Sequence, residues 1–274
     1  EYSLLEGAVK LKSLPALCTK MDMPAVAVTD TNNLFAALEF SVGASGAGVQ
    51  PVIGCQMDLQ YKKPDPSGKT SPASPVVLLA QSERGYQNLM KLNSCLYIDA
   101  NGQLPQVTLD ELRTYSADII CLSGGANGPI GKLLQTSQIP AAKALMTRLS
   151  EIFPNRLYVE LQRHPTENVL PDAEQLTEAG FVKMAYEMDL PLVATNDVYF
   201  TDTSMYEAHD ALICIAEGAY VDQQEPRRRL TPQHYFKTQQ EMITLFADLP
   251  EAIENTIVIA QRCAFKAYLR DPIL

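Results

Sequence analysis

Short apolar runs that end in polar residues alternate with stretches of helical periodicity along most of the chain. Ala25–Val28 runs into Thr29-Asp30, Val49–Ile53 into Gly54-Cys55-Gln56, and Val76–Ala80 into Gln81-Ser82. Further on, Asp118–Leu122 ends at Ser123-Gly124-Gly125, Leu157–Leu161 at Gln162-Arg163-His164, and Leu190–Ala194 at Thr195-Asn196-Asp197. Runs this short, closed by turn-forming or polar residues, read as buried strands. Between them Leu34–Phe40, Tyr86–Leu96, Ala141–Ile152 and Gln175–Met188 repeat apolar residues at helical spacing. Strands alternating with helices predict parallel pairing, because a parallel connection needs a crossover helix. The alternation predicts an α/β chain closed into a barrel, with a further strand expected upstream of Glu1. In such a barrel the strand C-termini converge on one face, where chemistry collects.

Two segments depart from the alternation. Lys62–Pro75 (KKPDPSGKTSPASP) is rich in Pro, Ser and Gly and reads as an exposed loop before a strand. From Met205 onward the chain turns helical, with helices expected over Ser204–Ala216, Gln239–Phe246 and Pro250–Cys263, the last begun by proline. The expected division is a barrel over 1–203 that lacks its first strand and a helical part over 204–274.

Composition narrows the function classes. Apolar residues make up 46% of 274 and charged ones 20%, which supplies a packed core and excludes a disordered tail. The net charge of −10 argues against a chain built to coat nucleic acid. No apolar run is long enough to span a bilayer, and no signal peptide is visible. The sequence opens on Glu1 without Met and reads as a piece of something longer. Six scattered cysteines without a CxxC pair exclude a zinc finger and favour buried free thiols in a cytoplasmic protein. A GxGxxG or P-loop phosphate cradle is absent.

Asp30, His164 and Asp197 are metal-ligand residue types that a barrel would bring to one mouth. Each alone has a plainer reading: Asp30 as the cap of the following helix, Asp197 as a cap before Thr203, His164 as a structural loop histidine. Arg227-Arg228-Arg229, the densest basic cluster, reads as a solvated loop ahead of a contact with nucleic acid or an acidic neighbour. Tyr235-Phe236 reads as packing ahead of base stacking.

Six motifs stand in order along the chain: Glu1-Tyr-Ser-Leu-Leu-Glu-Gly7, Ala27-Val-Thr-Asp-Thr-Asn-Asn-Leu34, Gly48-Val-Gln-Pro-Val-Ile-Gly54, Leu122-Ser-Gly-Gly125, Glu160-Leu-Gln-Arg-His164 and Val193-Ala-Thr-Asn-Asp197, with a tail running from Arg229-Leu-Thr-Pro through Lys237 to Glu241-Met242. Taken together, they resemble the polymerase-and-histidinol-phosphatase (PHP) domain, in the form found at the N-terminus of bacterial replicative DNA polymerase III alpha subunits. The resemblance implies a distorted (β/α)7 TIM-like barrel whose active members hold about three metals, mostly on His, Asp and Glu. Measured against that pattern, Glu6 stands where many members have Asp. Thr31 replaces a ligand His, Gln56 a Glu, Gly125 a Cys and Tyr199 a His, while Tyr97 falls near another expected His. Asp30, His164 and Asp197 remain as remnants. A hydroxide-generating cluster needs anionic and imidazole ligands in a closed set, so the expectation is a mouth with no metal and no catalytic residue. The resemblance implies a scaffold that supports the polymerase and docks the proofreading exonuclease subunit. Mg²⁺, DNA and the sliding clamp would then be engaged by the parent polymerase, whose palm carboxylates lie outside this sequence, and no membrane partner is expected. The alternative is a metal-dependent PHP phosphoesterase or 3′–5′ exonuclease.

Overall fold

The structure is a computed structural model, and it describes residues 1–61, 74–98, 104–167 and 169–271. In chain order its first half runs α1 (Leu14–Lys20), β1 (Ala25–Val28), α2 (Ala37–Gly46), β2 (Gln50–Gln60), β3 (Ser74–Ala80), α3 (Glu83–Ile98), β4 (Val107–Thr108) and α4 (Leu109–Tyr115). The second half runs β5 (Ile119–Leu122), α5 (Pro129–Gln135), α6 (Ile139–Ile152), β6 (Leu157–Gln162), α7 (Asp172–Glu187), β7 (Leu192–Thr195), α8 (Tyr206–Glu217), α9 (Gln239–Leu245) and α10 (Pro250–Arg262). Helix starts follow local chemistry. Thr108 with Glu111 and Thr238 with Glu241 form reciprocal capping boxes ahead of α4 and α9. Proline occupies the first turn of α1, α5, α6 and α10, where its missing N–H costs nothing. Residues 35–36 form a turn, so the helix expected from Leu34 begins at Ala37.

The strand order is β1-β2-β3-β5-β6-β7, with the short β4 beside the far end of β2. β1 and β2 pair in parallel, as do β5 with β6 and β6 with β7. β3 is antiparallel to both β2 and β5, which corrects the all-parallel expectation. No crossover helix separates β2 from β3 among the described residues, and a strand that returns without one runs backwards. Gln81 and Ser82 therefore finish at the opposite end of the sheet from Asp30; Ser82 donates to Asp118 at the start of β5 (2.7 Å). Most of the loop expected over Lys62–Pro75 lies outside the described residues, and its last two, Ser74 and Pro75, already belong to β3.

Among the described residues no pairing joins β1 to β7, so the sheet is a curled half-barrel and closure by strands is not observed. Two other elements span the gap. At the strand C-termini the N-terminal segment bonds Asp30 at one side and, through the Ala8 N–H, the Tyr199 carbonyl at the other (2.7 Å). At the N-terminal ends α10 crosses over: Gln50 at the start of β2 donates to the Ala260 carbonyl (2.6 Å), and Asn255 to the Leu192 carbonyl of β7 (2.8 Å). Alternate residues of each strand serve the two faces. Cys121, Val159 and Ala194 pack with helices α3 to α7, while Ile120, Tyr158 and Val193 pack against Ile259 and Cys263 at the end of α10. No helix among the described residues is long and apolar enough to cross a membrane.

Candidate functional site at the strand ends

The end of β1 delivers Asp30, which is nearly fully buried. Its Oδ1 accepts the backbone N–H groups of Tyr2 (3.1 Å) and Ser3 (2.8 Å) and the Ser3 hydroxyl (2.9 Å). Asp30 therefore anchors the N-terminal segment and does not cap the following helix; Asn33 takes the neighbouring Phe35 N–H instead (3.2 Å). The anchored segment carries Glu6 to the same place. There the Thr31 hydroxyl donates to Glu6 Oε2 (3.2 Å), and the Gln56 amide donates to the Thr31 hydroxyl (3.4 Å). Arg228 donates to the other oxygen of Glu6 (3.2 Å) and reaches the Tyr199 hydroxyl with its second nitrogen (3.5 Å). The Tyr199 hydroxyl in turn lies beside Asp197. Burial pushes Asp197 up to about 6, and Tyr199 and Arg228 partly offset the rise. Burial and the Asp197 charge hold the Tyr199 phenol far above its usual range. Tyr97 borders this side, donating to the Asn32 carbonyl (2.8 Å).

The β5–β7 side is drier. Glu160 is 2% exposed; its carboxylate accepts the Gly124 N–H (3.0 Å) and the Thr195 hydroxyl (2.6 Å), and burial pushes it up to about 7. Gly125 sits at φ 56°, and a Cβ there would lie 2.6 Å from Gln162 Oε1, so the Gln162 amide fills the space a side chain would need. His164 donates its backbone N–H to Glu174 (2.8 Å), shares Nδ1 with the other Glu174 oxygen (2.7 Å), and stacks on His234 with centroids 3.8 Å apart. Burial favours the neutral forms throughout: Glu174 rises to about 7, while His164 and His234 fall to about 3. Lys237, itself buried and held down at about 8, donates to Asn196 (3.1 Å) and to the Gln233 carbonyl.

The mouth therefore gathers Glu6, Asp30, Thr31, Gln56, Asp197 and Tyr199 on one side and Gly125 and His164 on the other. Sequence reasoning named these but gave no role to Glu160, Gln162, Glu174, His234 or Lys237. One signal was present: a carboxylate inside the apolar run Leu157–Leu161 is seldom buried without a task. Asp197 is not a cap before Thr203; Asp202 accepts the Ser204 N–H there (3.0 Å). The arginine triplet is not a freely solvated loop either. Arg227 grips Asp210 with both terminal nitrogens (2.7 and 2.6 Å), Arg228 enters the mouth, and Arg229 donates to the Val221 carbonyl (3.2 Å). Phe236 is buried, and the Tyr235 hydroxyl donates to Glu241 (2.6 Å).

These residues do not fit the metal cluster that a PHP-like mouth implies. A cluster needs several carboxylates and imidazoles with free lone pairs turned to a common point. Here Glu6 is engaged by Thr31 and Arg228, Glu160 by Gly124 and Thr195, and one Asp30 oxygen by three donors. The buried atoms left over at the mouth are Asp30 Oδ2, His164 Nε2 and His209 Nδ1. Asp30 and His164 lie far apart in the strand order at the ends of β1 and β6, the Asn196 amide lies beside the latter, and the His209 ring, tilted against Tyr199, meets the Glu6 carbonyl through its other nitrogen. Among the described residues no three His, Cys, Asp or Glu side chains are grouped to hold a metal ion.

Comparison with known proteins gives the chain its relatives. The chain is 47% identical over its whole length to DNA polymerase III subunit alpha of Caulobacter vibrioides and 38% identical to that of Rickettsia bellii, covering 23% and 22% of those proteins. It thus spans less than a quarter of their length. A solved amidohydrolase from Chromobacterium violaceum aligns with a TM-score of 0.42 at 11% identity, over 71% of this chain and 84% of that one. Residues 1–164, more than half the chain, match the PHP domain, and the chain belongs to the PHP domain family.

Proposed function

We propose that this chain is the PHP region of a DNA polymerase III alpha subunit and that its barrel mouth is non-catalytic. In this reading it is a scaffold that supports the polymerase body in cis and docks the proofreading exonuclease subunit. Its half-barrel descends from the distorted (β/α)7 barrel of the family, with residues 1–203 as the barrel portion and 204–274 leading towards the polymerase body. The observation that carries the reading is the hydrogen-bonded network over these positions, which leaves no closed donor set among the described residues to activate a water. Nucleotidyl transfer with Mg²⁺, and contact with DNA and the sliding clamp in the cytoplasm, then belong to the rest of the longer polypeptide. A net charge of −10 supports weak direct DNA binding, because few phosphates would be neutralised.

Calorimetry of the chain against the exonuclease, with DNA titrated separately, tests the docking. The expected result is saturable exonuclease binding with little DNA affinity; steeply salt-dependent DNA binding without exonuclease binding would overturn it. Elemental analysis and a phosphomonoesterase assay test the mouth. The expected result is no stoichiometric metal and no turnover, whereas metal-dependent hydrolysis abolished by Asp197→Ala would favour the phosphoesterase reading.

A further inference from the structure

The carboxylates on the β1–β2 side of the mouth face a positive charge that the chain itself carries. Arg228 contacts Glu6 directly, and through Glu6 it joins Thr31 and Gln56; through Tyr199 it joins Asp197. One guanidinium thus meets Glu6 and Tyr199 directly, and the hydrogen bonds that run on from Glu6 through Thr31 to Gln56 link it to the end of β1 and to β2. The backbone on either side holds it in place. Arg227 is clamped to Asp210 of α8, and Arg229 is tied to the Val221 carbonyl. Downstream, the Tyr199 N–H donates to the His234 carbonyl (2.9 Å) and the Phe236 N–H to the Phe200 carbonyl (3.0 Å). Arg228 itself remains 38% exposed and Glu6 32% exposed, so solvent ions reach the spot.

We infer that Arg228 is a tethered counter-cation, which supplies Glu6 directly, and Asp197 across the Tyr199 hydroxyl, with the positive charge that a dissociable divalent ion would otherwise bring. A divalent cation and the guanidinium compete for the same oxygens, and covalent attachment decides the contest: the guanidinium is always present at the mouth, always charged, and shaped to span two acceptors. Replacing it with a neutral side chain uncovers a divalent-cation site on Glu6 and Asp197. The inference rests on the non-catalytic reading of the mouth.

The test compares wild type, Arg228→Met, Arg228→Lys and the double variant Arg228→Met/Glu6→Gln. Each full chain is titrated with manganese chloride and read by thermal shift and by the free-Mn²⁺ electron paramagnetic resonance signal. Wild type and Arg228→Lys are expected to be indifferent to Mn²⁺. Arg228→Met should melt lower in EDTA, recover with Mn²⁺, and deplete the free-Mn²⁺ signal at a concentration at least about tenfold below any at which wild type responds; Glu6→Gln in that background should abolish the gain. Equal Mn²⁺ responses in wild type and Arg228→Met would overturn the inference, as would a response that survives Glu6→Gln. Should Arg228→Met fail to fold, a folded and Mn²⁺-indifferent Arg228→Lys supports the charge role, and an unfolded or Mn²⁺-responsive one overturns it. A catalytically silent wild type whose melting point and Mn²⁺ response Arg228→Met leaves unchanged would sink the tether alone, whereas phosphomonoester turnover by wild type would sink the reading beneath it.

Discussion

Glu6 on one side of the barrel mouth and the acids Glu160 and Glu174 on the other are balanced by different physical routes, with Asp197 between them subject to both burial and the Arg228 charge. On the β1–β2 side Glu6 stays partly exposed and is matched by a guanidinium at 3.2 Å. On the β5–β7 side Glu160 and Glu174 are buried away from solvent, and desolvation pushes both up to about 7. Pairing keeps a charge and offsets it; burial favours the proton and so shifts the acid towards its neutral form. The same contrast holds for the cations, since Arg228 remains a cation in contact with water while Lys237 is buried and held down at about 8. Charge at the mouth is thus balanced by a tethered cation where solvent reaches, and lessened by desolvation within a hydrogen-bonded cluster where it does not.

Substitutions should separate the dry side from the wet one, beginning with the largest effect. Gly124 presents its N–H to Glu160 from φ 85°, and an added Cβ would lie 1.9 Å from the Pro75 carbonyl oxygen, which is backbone and cannot swing aside. Gly124→Ala should cost about 4 kcal/mol in urea denaturation; a loss below about 1 kcal/mol would mean the dry side is loosely packed.

The next effect is a swing with pH. Because Glu160 is pushed from 4.5 up to about 7, the folded state binds its proton more tightly than the unfolded state does. Its contribution is full below about pH 4.5 and is lost as pH rises through about 7, on the order of 3 kcal/mol in all. Glu160→Gln should flatten that decline in stability measured at several pH values, and an unchanged slope would contradict the assignment. His234 works in the opposite sense. It falls from 6.5 to about 3 in the folded state, so its contribution is full above about pH 6.5 and is lost as pH falls towards 3. His234→Phe should soften the acid limb and leave the alkaline one alone.

The smallest effect belongs to the wet side. Thr31→Ala removes one partly exposed hydroxyl from between Glu6 and Gln56 and should cost about 0.5 kcal/mol. A cost as large as that of Gly124→Ala would erase the distinction between the two sides.

The sequence made the strands and their polar ends legible because each is a local pattern: six expected runs fall on β1, β2, β3, β5, β6 and β7. The reversal of β3 was not legible, since a strand's direction is set by the connection that leads into it and not by its own residues. α5 escaped notice because Pro129–Gln135 spans barely two turns and shows too few periods. At the site, the positions read from motif resemblance do gather at the mouth. Glu174, His234 and Lys237 were missed because their roles exist only through partners: Glu174 lies ten residues beyond His164, and His234 is seventy residues away in the chain but 3.8 Å away in space. Arg228 was misjudged for the same reason. Three arginines in an acidic chain look like a solvated patch until Asp210, Glu6 and the Val221 carbonyl are seen to receive them.

The crossing of α10 has a consequence for where the chain can be cut. Its Ile259 and Cys263 cover the sheet face that carries Ile120, Tyr158 and Val193, and Arg262 reaches the Tyr158 hydroxyl (2.9 Å). A protease or a cloning boundary that removes residues after about 249 would strip that face and expose it to aggregation, although every residue matching the PHP domain would still be present. The length that must be synthesised before this domain can hold itself together therefore runs about a hundred residues past the stretch by which it is recognised.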